Sequence, residues 1–131
     1  MELVYLETTF ISYLVALPAR EIVIAAHQQV TRDWWQLRRH QFRCVISPVV
    51  IDEISQGDAS EIQKRLALVA PLDVLAASTD AELLTAVIMN SGVLPEKTVR
   101  DAAHIAVAAV HGVHYLLTWN GKHLANAQIS R

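Results

Sequence analysis

Four oxygen-bearing side chains follow predicted strands and could together bind a metal ion. They are Glu7 after LVYL, Glu53 in the helix after CVIS, Asp101 near the start of VRDAAHIAVAAVHG, and Asn120 after VHYLLT. Mg²⁺ and Mn²⁺ accept carboxylate and amide oxygens as ligands. Three ionised carboxylates in one pocket repel each other by several kcal/mol at an effective dielectric constant of about 20. Because a divalent cation would offset this repulsion, the set predicts a Mg²⁺ or Mn²⁺ site.

Each of these residues also has an ordinary structural explanation. Glu7 could cap the helix that begins at Thr8 and Thr9, and an acid such as Asp101 is favoured at a helix N-terminus, with Thr98 as its N-cap. A solvent-exposed helix face would account for Asp52 and Glu53, and Asn120 is an ordinary turn residue. The metal hypothesis therefore depends on the joint placement of the four residues.

His104 is the polar exception within the apolar part of VRDAAHIAVAAVHG. Helical spacing puts it on the same side as Asp101, so both should face inward. The alanines at 102, 103, 106, 108 and 109 would let this helix lie close to a sheet. His104 could be a core histidine bonded to a backbone carbonyl, or it could support the site or contact a substrate phosphate.

Short β-type runs alternate with longer helical patterns along the chain. Strands are predicted at residues 3–6, 44–47, 72–75 and 113–118. Helices are predicted at residues 20–40, 47–55, 58–70, 82–92 and over the stretch that contains His104. This alternation predicts a parallel sheet with helices on both faces, and such sheets bind ligands at the carboxyl ends of their strands.

Several residues are typical of helix ends. Ser47 before Pro48 predicts an N-cap, and Asp58 with Glu61 fits a capping box. The other expected end residues are Thr79 or Asp80 as an N-cap, and Gly92 and Gly112 as left-handed C-terminal residues. In the helix at 20–40, one apolar stripe is expected, formed by Ile22, Ala25, Ala26, Val30, Trp34 and Leu37.

Composition limits the class of protein. The chain has 131 residues, 53% of them hydrophobic, which is enough for one domain spanning 1–131 with a real core. The net charge of −2 gives no overall basic field. A lone cysteine, Cys44, cannot form an intramolecular disulfide, which favours the cytoplasm. Glu2 and Glu7 interrupt the N-terminal apolar run, so neither a signal peptide nor a membrane span is expected.

Three stretches resemble one known family. YLETTFISYL, SPVVIDEISQGD and RDAAHIAVAAVHGVHYLLTWNGKHLANA are similar to PIN domains, specifically the VapC-like toxin ribonucleases of type II toxin-antitoxin systems. The likeness runs from Leu3 to about Ala127. It implies a three-layer α/β/α sandwich around a central parallel sheet, Mg²⁺-dependent hydrolysis of RNA, an antitoxin partner and a homodimer. The family's acidic positions fall on Glu7, Glu53, Asp101 and Asn120.

The chain departs from the family pattern at three places. The family usually has Asp at the position of Glu7, and an acid at the position of Asn120, which offers a carbonyl oxygen but no charge. Relatives generally continue into a fifth strand, and nothing after HLANAQISR resembles one. We therefore expect the sheet to lack its fifth strand, either in a truncated chain or with a bare edge beside strand four.

The leading hypothesis is a Mg²⁺- or Mn²⁺-dependent endoribonuclease, in which the ion activates a water for attack on phosphorus. Thr8, Thr9, His104 and Trp119 are the expected substrate contacts. The basic residues that could guide RNA are Arg20, Arg32, Arg38, Arg39, Arg43 and Lys122. The alternative is a catalytically degenerate domain that binds RNA or an antitoxin without cleavage. A phosphotransfer or hydrolase domain is disfavoured because the chain has no Gly-rich phosphate loop and no GxSxG elbow.

Overall fold

A four-stranded parallel sheet forms the centre of the molecule. The computed structural model describes residues 1–92 and 99–120. Its strands are β1 (Leu3–Leu6), β2 (Arg43–Ile46), β3 (Asp73–Val74) and β4 (Tyr115–Leu117), arranged in the order β3-β2-β1-β4. The predicted parallel sheet is confirmed. The first strand has its predicted bounds, and the others differ by about one or two residues, the usual uncertainty of strand ends.

Six α-helices in the described ranges surround this sheet. They are α1 (Thr8–Val15), α2 (Ile22–Arg38), α3 (Pro48–Ile54), α4 (Ala59–Val69), α5 (Thr79–Ser91) and α6 (Val99–Val110), with a 3₁₀ turn at Arg39–Gln41. Helix α1 contacts α2, α3 and α4, and α5 packs against α6. This arrangement is compatible with the expected three-layer α/β/α sandwich. None of the described helices has the length and hydropathy of a membrane span.

The core is centred on the two inner strands. Val4, Tyr5 and Leu6 of β1 and Val45 and Ile46 of β2 are almost completely buried, because both faces of a central parallel strand are covered. Each fully buried side chain of this size contributes about 1.5–3 kcal/mol of transfer free energy. In contrast, both residues of the edge strand β3 are exposed. The most deeply buried strands of the sheet are therefore β1 and β2.

Most of the predicted helix ends are confirmed. The Asp58 carboxylate accepts a hydrogen bond from the Glu61 amide at 3.1 Å, and Gly92 and Gly112 have φ angles of 73° and 66°. Ser47 is the N-cap residue of α3, although its hydroxyl makes no capping bond. Thr98, the expected cap of α6, lies outside the described residues.

The expected cap of α5 was wrong by one residue. Ser78, not Thr79 or Asp80, is the N-cap, and its hydroxyl accepts a hydrogen bond from the Ala81 amide at 3.1 Å. Ser78 has an extended backbone, with φ −142° and ψ 157°, whereas Thr79 already belongs to the helix. Serine, threonine and aspartate all favour the N-cap position, so residue type alone does not decide which of them is the cap.

The apolar stripe predicted on α2 faces the core only in part: Trp34 packs against the core, but other members of the stripe do not. Ile22, Val30 and Leu37 are 82%, 57% and 73% exposed, whereas the polar residues Gln28 and Thr31 are buried. Gln28 is turned inward because its amide group bonds to the carbonyl of residue 17 and the amide of residue 19. The need to satisfy these backbone groups outweighs the apolar pattern.

Helix α6 presents its polar residues inward, as predicted. Asp101 is 8% exposed and His104 is fully buried, in the same row of the helix as the buried residues Ile105 and Ala108. The alanines on this helix leave room for close packing, and α6 also contacts α3. Contacts of Arg100 with Asp52 and of His104 with Glu53 place the first turns of α6 beside the end of α3.

Candidate metal centre

The strand order creates a crevice between the ends of β1 and β4. The chain adds β2 and β3 on one side of β1 and then returns to add β4 on the other side. In parallel sheets this reversal leaves a crevice outside the carboxyl ends of the two diverging strands, where ligands bind. Glu7 follows β1 and donates its amide hydrogen to the Leu117 carbonyl at 3.0 Å, and Thr118, Trp119 and Asn120 follow β4. The predicted residues therefore lie at the expected edge.

Glu7 is held by hydroxyl and amide donors. Its side chain is almost completely buried, and Oε1 accepts hydrogen bonds from the Thr9 amide at 3.0 Å, the Thr9 hydroxyl at 2.5 Å and the Thr118 hydroxyl at 2.7 Å. Glu7 is also the N-cap of α1, which confirms the structural explanation for this residue. Capping fixes one carboxylate oxygen and so orients the whole group.

Glu53 lies opposite, on α3. Its Oε1 accepts hydrogen bonds from the Thr8 hydroxyl at 2.7 Å and contacts Nε2 of His104 at 2.5 Å. Burial raises the pKa of Glu53, but the hydrogen bonds to His104 and Thr8, with the charges of His104 and Arg100, outweigh burial and hold this pKa below its usual value. Glu53 is therefore a carboxylate at neutral pH.

His104 differs from the core histidine considered above, because its partners are side chains and not a backbone carbonyl. Its Nδ1 lies 2.6 Å from the Tyr5 hydroxyl, which in turn lies 2.7 Å from the hydroxyl of Ser47. Burial, together with the nearby charges of Glu7 and Glu53, raises the pKa of Tyr5, although the Ser47 hydroxyl acts against it. Tyr5 therefore keeps its proton, and a buried hydrogen-bond chain runs from Ser47 through Tyr5 and His104 to Glu53.

Three side chains form a group that could hold a metal ion. One ligand atom from each of Glu7, Glu53 and His104 lies within 4.8 Å of the others. Two carboxylates and an imidazole are suitable donors for a divalent cation. Asp101 is not a member of this group within the described residues; one of its oxygens accepts a hydrogen bond from the Asn120 amide at 3.3 Å. The roles of Asp101 and Asn120 as metal ligands stay predictions.

The expected substrate contacts are placed around this group. Thr8 and Thr9 donate their hydroxyl hydrogens to Glu53 and Glu7, so both hydroxyls support the carboxylates. Trp119 stacks on His27 with ring centroids 4.1 Å apart, and its indole N–H donates to the buried Thr31 hydroxyl at 2.7 Å. The Trp119 ring is therefore fixed beside the site, and its contact with substrate stays a prediction.

Several basic residues are engaged within the chain. Arg43 pairs with Asp73 at 2.8 Å, and Arg39 stacks over the ring of Trp35. Lys122 lies outside the described residues. Arg100, which the sequence reasoning did not select, pairs with Asp52 at 2.6 Å on the partly exposed surface beside the metal-binding group. This ion pair accounts for Asp52, the acid that precedes Glu53 on α3.

Sequence reasoning selected Thr8 and Thr9 but missed three other hydroxyl groups that organise the site, those of Tyr5, Ser47 and Thr118. Tyr5 stands in an apolar strand, where nothing local indicates a partner for its hydroxyl, and Ser47 is expected only as a helix cap. Thr118 was treated as part of the last strand, although a hydroxyl directly before Trp119 and Asn120 could have been read as a second donor near the acids. Each of these groups bonds to a residue distant in the chain, a relationship that local patterns do not contain.

No protein-family model matches the sequence, and the search of curated proteins gives no match. The resemblance to PIN domains consequently remains an expectation that depends on the three quoted stretches.

Proposed function

We propose that this protein is a divalent-metal-dependent endoribonuclease. The proposal depends on one observation, the convergence of Glu7 and Glu53 with His104 in a group able to hold a metal ion at the carboxyl edge of the sheet. When bound, the ion would supply positive charge for the phosphate and an activated water. Glu7 and Glu53 would hold it, while Thr8 and Thr9 keep the two carboxylates in position.

A hydrolase with a serine nucleophile is a poorer explanation of the same residues. Glu53, His104 and Tyr5 lead by hydrogen bonds to Ser47, which superficially resembles an acid-histidine-serine arrangement. However, the Ser47 side chain is completely buried, so its hydroxyl cannot reach a substrate carbonyl or phosphate. Metal-assisted hydrolysis needs no protein nucleophile and fits the buried position of Ser47.

The biological setting is part of the proposal and comes from the PIN resemblance. It comprises RNA as substrate, a toxin role with a cognate antitoxin, a homodimer and a cytoplasmic location. The exposed apolar residues Ile22, Val30 and Leu37 on α2 support association with another protein surface, since apolar side chains grouped on one exposed face favour protein contacts.

Cleavage of structured RNA by the purified chain, with Mn²⁺ or Mg²⁺ and with EDTA, tests this function. We expect metal-dependent cleavage that falls at least about 100-fold in Glu53→Gln and in Asp101→Ala. Asp52→Asn is the matched control, because it removes the neighbouring acid of the same helix and should keep most of the activity. Equal cleavage by wild type, Glu53→Gln and Asp101→Ala would refute the proposed active site.

A catalytically degenerate domain that binds RNA or an antitoxin is the second candidate. One observation favours it: the Glu7 carboxylate already accepts three hydrogen bonds and the Asn120 amide donates to Asp101, so both acids have partners without a cation. Gel-shift titration with the same RNA separates the two candidates. Binding without any metal-dependent cleavage would favour the degenerate domain.

A further inference from the structure

His104 occupies an unusual position, since it is fully buried and its two ring nitrogens serve different partners. Nε2 points to the carboxylate of Glu53, and Nδ1 faces the Tyr5 hydroxyl. Tyr5 in turn contacts Ser47. The ionised Glu53 carboxylate only accepts hydrogen bonds, so without a metal ion the contact with Glu53 requires a proton on Nε2. The hydroxyls of Tyr5 and Ser47 can each donate or accept, so they would adapt if a cation displaced this proton and Nδ1 carried it instead.

The two tautomers have different consequences for the metal group. If Nε2 carries the proton, it donates to Glu53 while Nδ1 accepts from Tyr5. If Nδ1 carries the proton, it donates to Tyr5, and Tyr5 donates to Ser47. The second tautomer would leave the Nε2 lone pair facing the Glu53 carboxylate, which is repulsive unless a cation lies between the two groups. A metal-binding histidine usually has this arrangement, with its other N–H fixed by a hydrogen-bond acceptor.

We propose that His104 is a nitrogen ligand of the bound ion, and that the site consequently selects a transition metal such as Mn²⁺ over Mg²⁺. Imidazole nitrogen suits first-row transition metals, whereas Mg²⁺ takes oxygen ligands and keeps several waters. The inference rests on the metal requirement of the proposed function and deepens it, because it assigns the third ligand and the class of ion.

The spacing of the group requires only a small adjustment. Two ligand atoms bound at right angles to one ion, each at about 2.1 Å, lie roughly 3 Å apart. Nε2 of His104 and Oε1 of Glu53 are 2.5 Å apart, and the farthest atoms of the group lie within 4.8 Å. A slight rotation of Glu53 would open the necessary space. The Thr8 hydroxyl could follow this rotation, since it bonds to the same oxygen.

Two measurements on the wild-type protein test the inference without any substitution. Titration calorimetry with Mn²⁺ and with Mg²⁺ should show at least about 10-fold tighter binding of Mn²⁺. Pulsed electron paramagnetic resonance on the Mn²⁺-loaded protein should detect coupling to a ¹⁴N nucleus. Bound Mn²⁺ without nitrogen coupling, or equal affinities for the two ions, would overturn the inference.

Variants identify the nitrogen as that of His104. His104→Gln should remove the ¹⁴N coupling and weaken Mn²⁺ binding about 10- to 100-fold, with Mg²⁺ binding changed much less. Because a buried histidine is also structural, Tyr5→Phe serves as the second variant. It keeps the imidazole, removes the acceptor for Nδ1–H, and should also weaken Mn²⁺ binding about 10-fold or more. Tyr115→Phe on β4 is its matched control and should bind like wild type, and circular dichroism verifies folding.

The outcomes separate this inference from the proposed nuclease activity. Nitrogen-coupled Mn²⁺ in a protein that cleaves no RNA would support His104 as a ligand and refute the nuclease. RNA cleavage with a bound ion that shows no nitrogen coupling would support the nuclease and refute His104 as a ligand. If the folded protein binds neither ion, both the inference and the metal basis of the proposed function fail.

Discussion

At the scale of single residues, threonine hydroxyls hold the two acids of the site. Thr9 and Thr118 donate to Glu7, and Thr8 donates to Glu53. Hydrogen bonds to charged groups contribute about 1.5–3 kcal/mol each, more than bonds between neutral groups. These contacts offset part of the cost of burying two like charges close together, and they keep both carboxylates facing the crevice.

Removal of one hydroxyl should therefore measurably destabilise the fold. Thr118→Val deletes the hydroxyl that donates to Glu7 and accepts from the backbone amide of Asn120, with little change of shape. We expect a loss of about 1–3 kcal/mol in the free energy of unfolding, measured with urea. In the control Thr85→Val, the deleted hydroxyl donates to the Ala81 carbonyl within α5, and the change should stay within about 0.5 kcal/mol. Equal losses in the two variants would contradict this expectation.

The ionised state of Glu53 should make stability depend on pH. Because its pKa is lowered in the folded protein, Glu53 contributes stability above its ordinary pKa of 4.5, and this contribution is lost as pH falls through the lower folded value. Glu53→Gln should therefore lose less stability than wild type between roughly pH 5 and pH 3. Thr8→Val removes one donor to Glu53 and should move the loss to higher pH. Free energies of unfolding at a series of pH values test this, and curves that run parallel for all three proteins would count against it.

Sequence reasoning identified two of the three residues of the metal group and missed the reason for the third. Glu7 and Glu53 were selected because acids after strands meet at one edge of a parallel sheet. His104 was noticed as a polar residue on an apolar helix. Its link to Glu53 could not be predicted, because the two residues are 51 positions apart and the link also depends on the hydroxyl of Tyr5, a residue that looked apolar in its strand.

At the scale of helices and strands, hydrogen bonds made by polar side chains explain which face of α2 is buried. On α2 the buried face contains Gln28 and Thr31, because Gln28 bonds to the loop before the helix and Thr31 accepts the indole N–H of Trp119. The apolar pattern indicated a helix correctly, but only Trp34 of the residues cited from its stripe packs on the core, while Ile22, Val30 and Leu37 are exposed. Hydropathy describes which side chains avoid water, whereas these two side chains are buried because other groups need their polar atoms.

The N-cap of α5 offers a direct test at this scale. Ser78→Ala removes the hydroxyl that accepts from the Ala81 amide, so it should lower the free energy of unfolding by about 0.5–2 kcal/mol. Thr79→Ala changes the residue that the sequence favoured as the cap and should cost less than about 0.5 kcal/mol, because Thr79 already lies in the first turn. Urea unfolding of the two variants compares them, and a larger loss in Thr79→Ala would mean that the helix begins one residue later.

At the scale of the whole molecule, the strand order explains how local sequence produces a shared site. The parallel sheet could be predicted because strand and helix patterns alternate, and its crevice follows from the return of the chain to the free side of β1. The hydrogen-bond partners of the side chains in the crevice could not be predicted, because the network joins side chains from three or more segments of the chain. The topology thus provides the location, and tertiary hydrogen bonds determine the geometry.

A metal ion bound at this crevice should stabilise the entire fold. The site joins the ends of β1 and α3 with α6, so the unfolded chain cannot reproduce it, and an ion that binds only the folded protein raises stability by mass action. At a Mn²⁺ concentration 100 times the dissociation constant, we expect a gain of about 2.7 kcal/mol in the free energy of unfolding.

Glu53→Gln should lose most of this gain, and the matched control Asp52→Asn should keep it, because Asp52 is directed at Arg100 and lies outside the metal group. Urea unfolding with Mn²⁺ and with EDTA measures the difference. An equal gain in wild type and Glu53→Gln would place the ion elsewhere on the protein, since only a ligand at this site makes the coupling depend on Glu53.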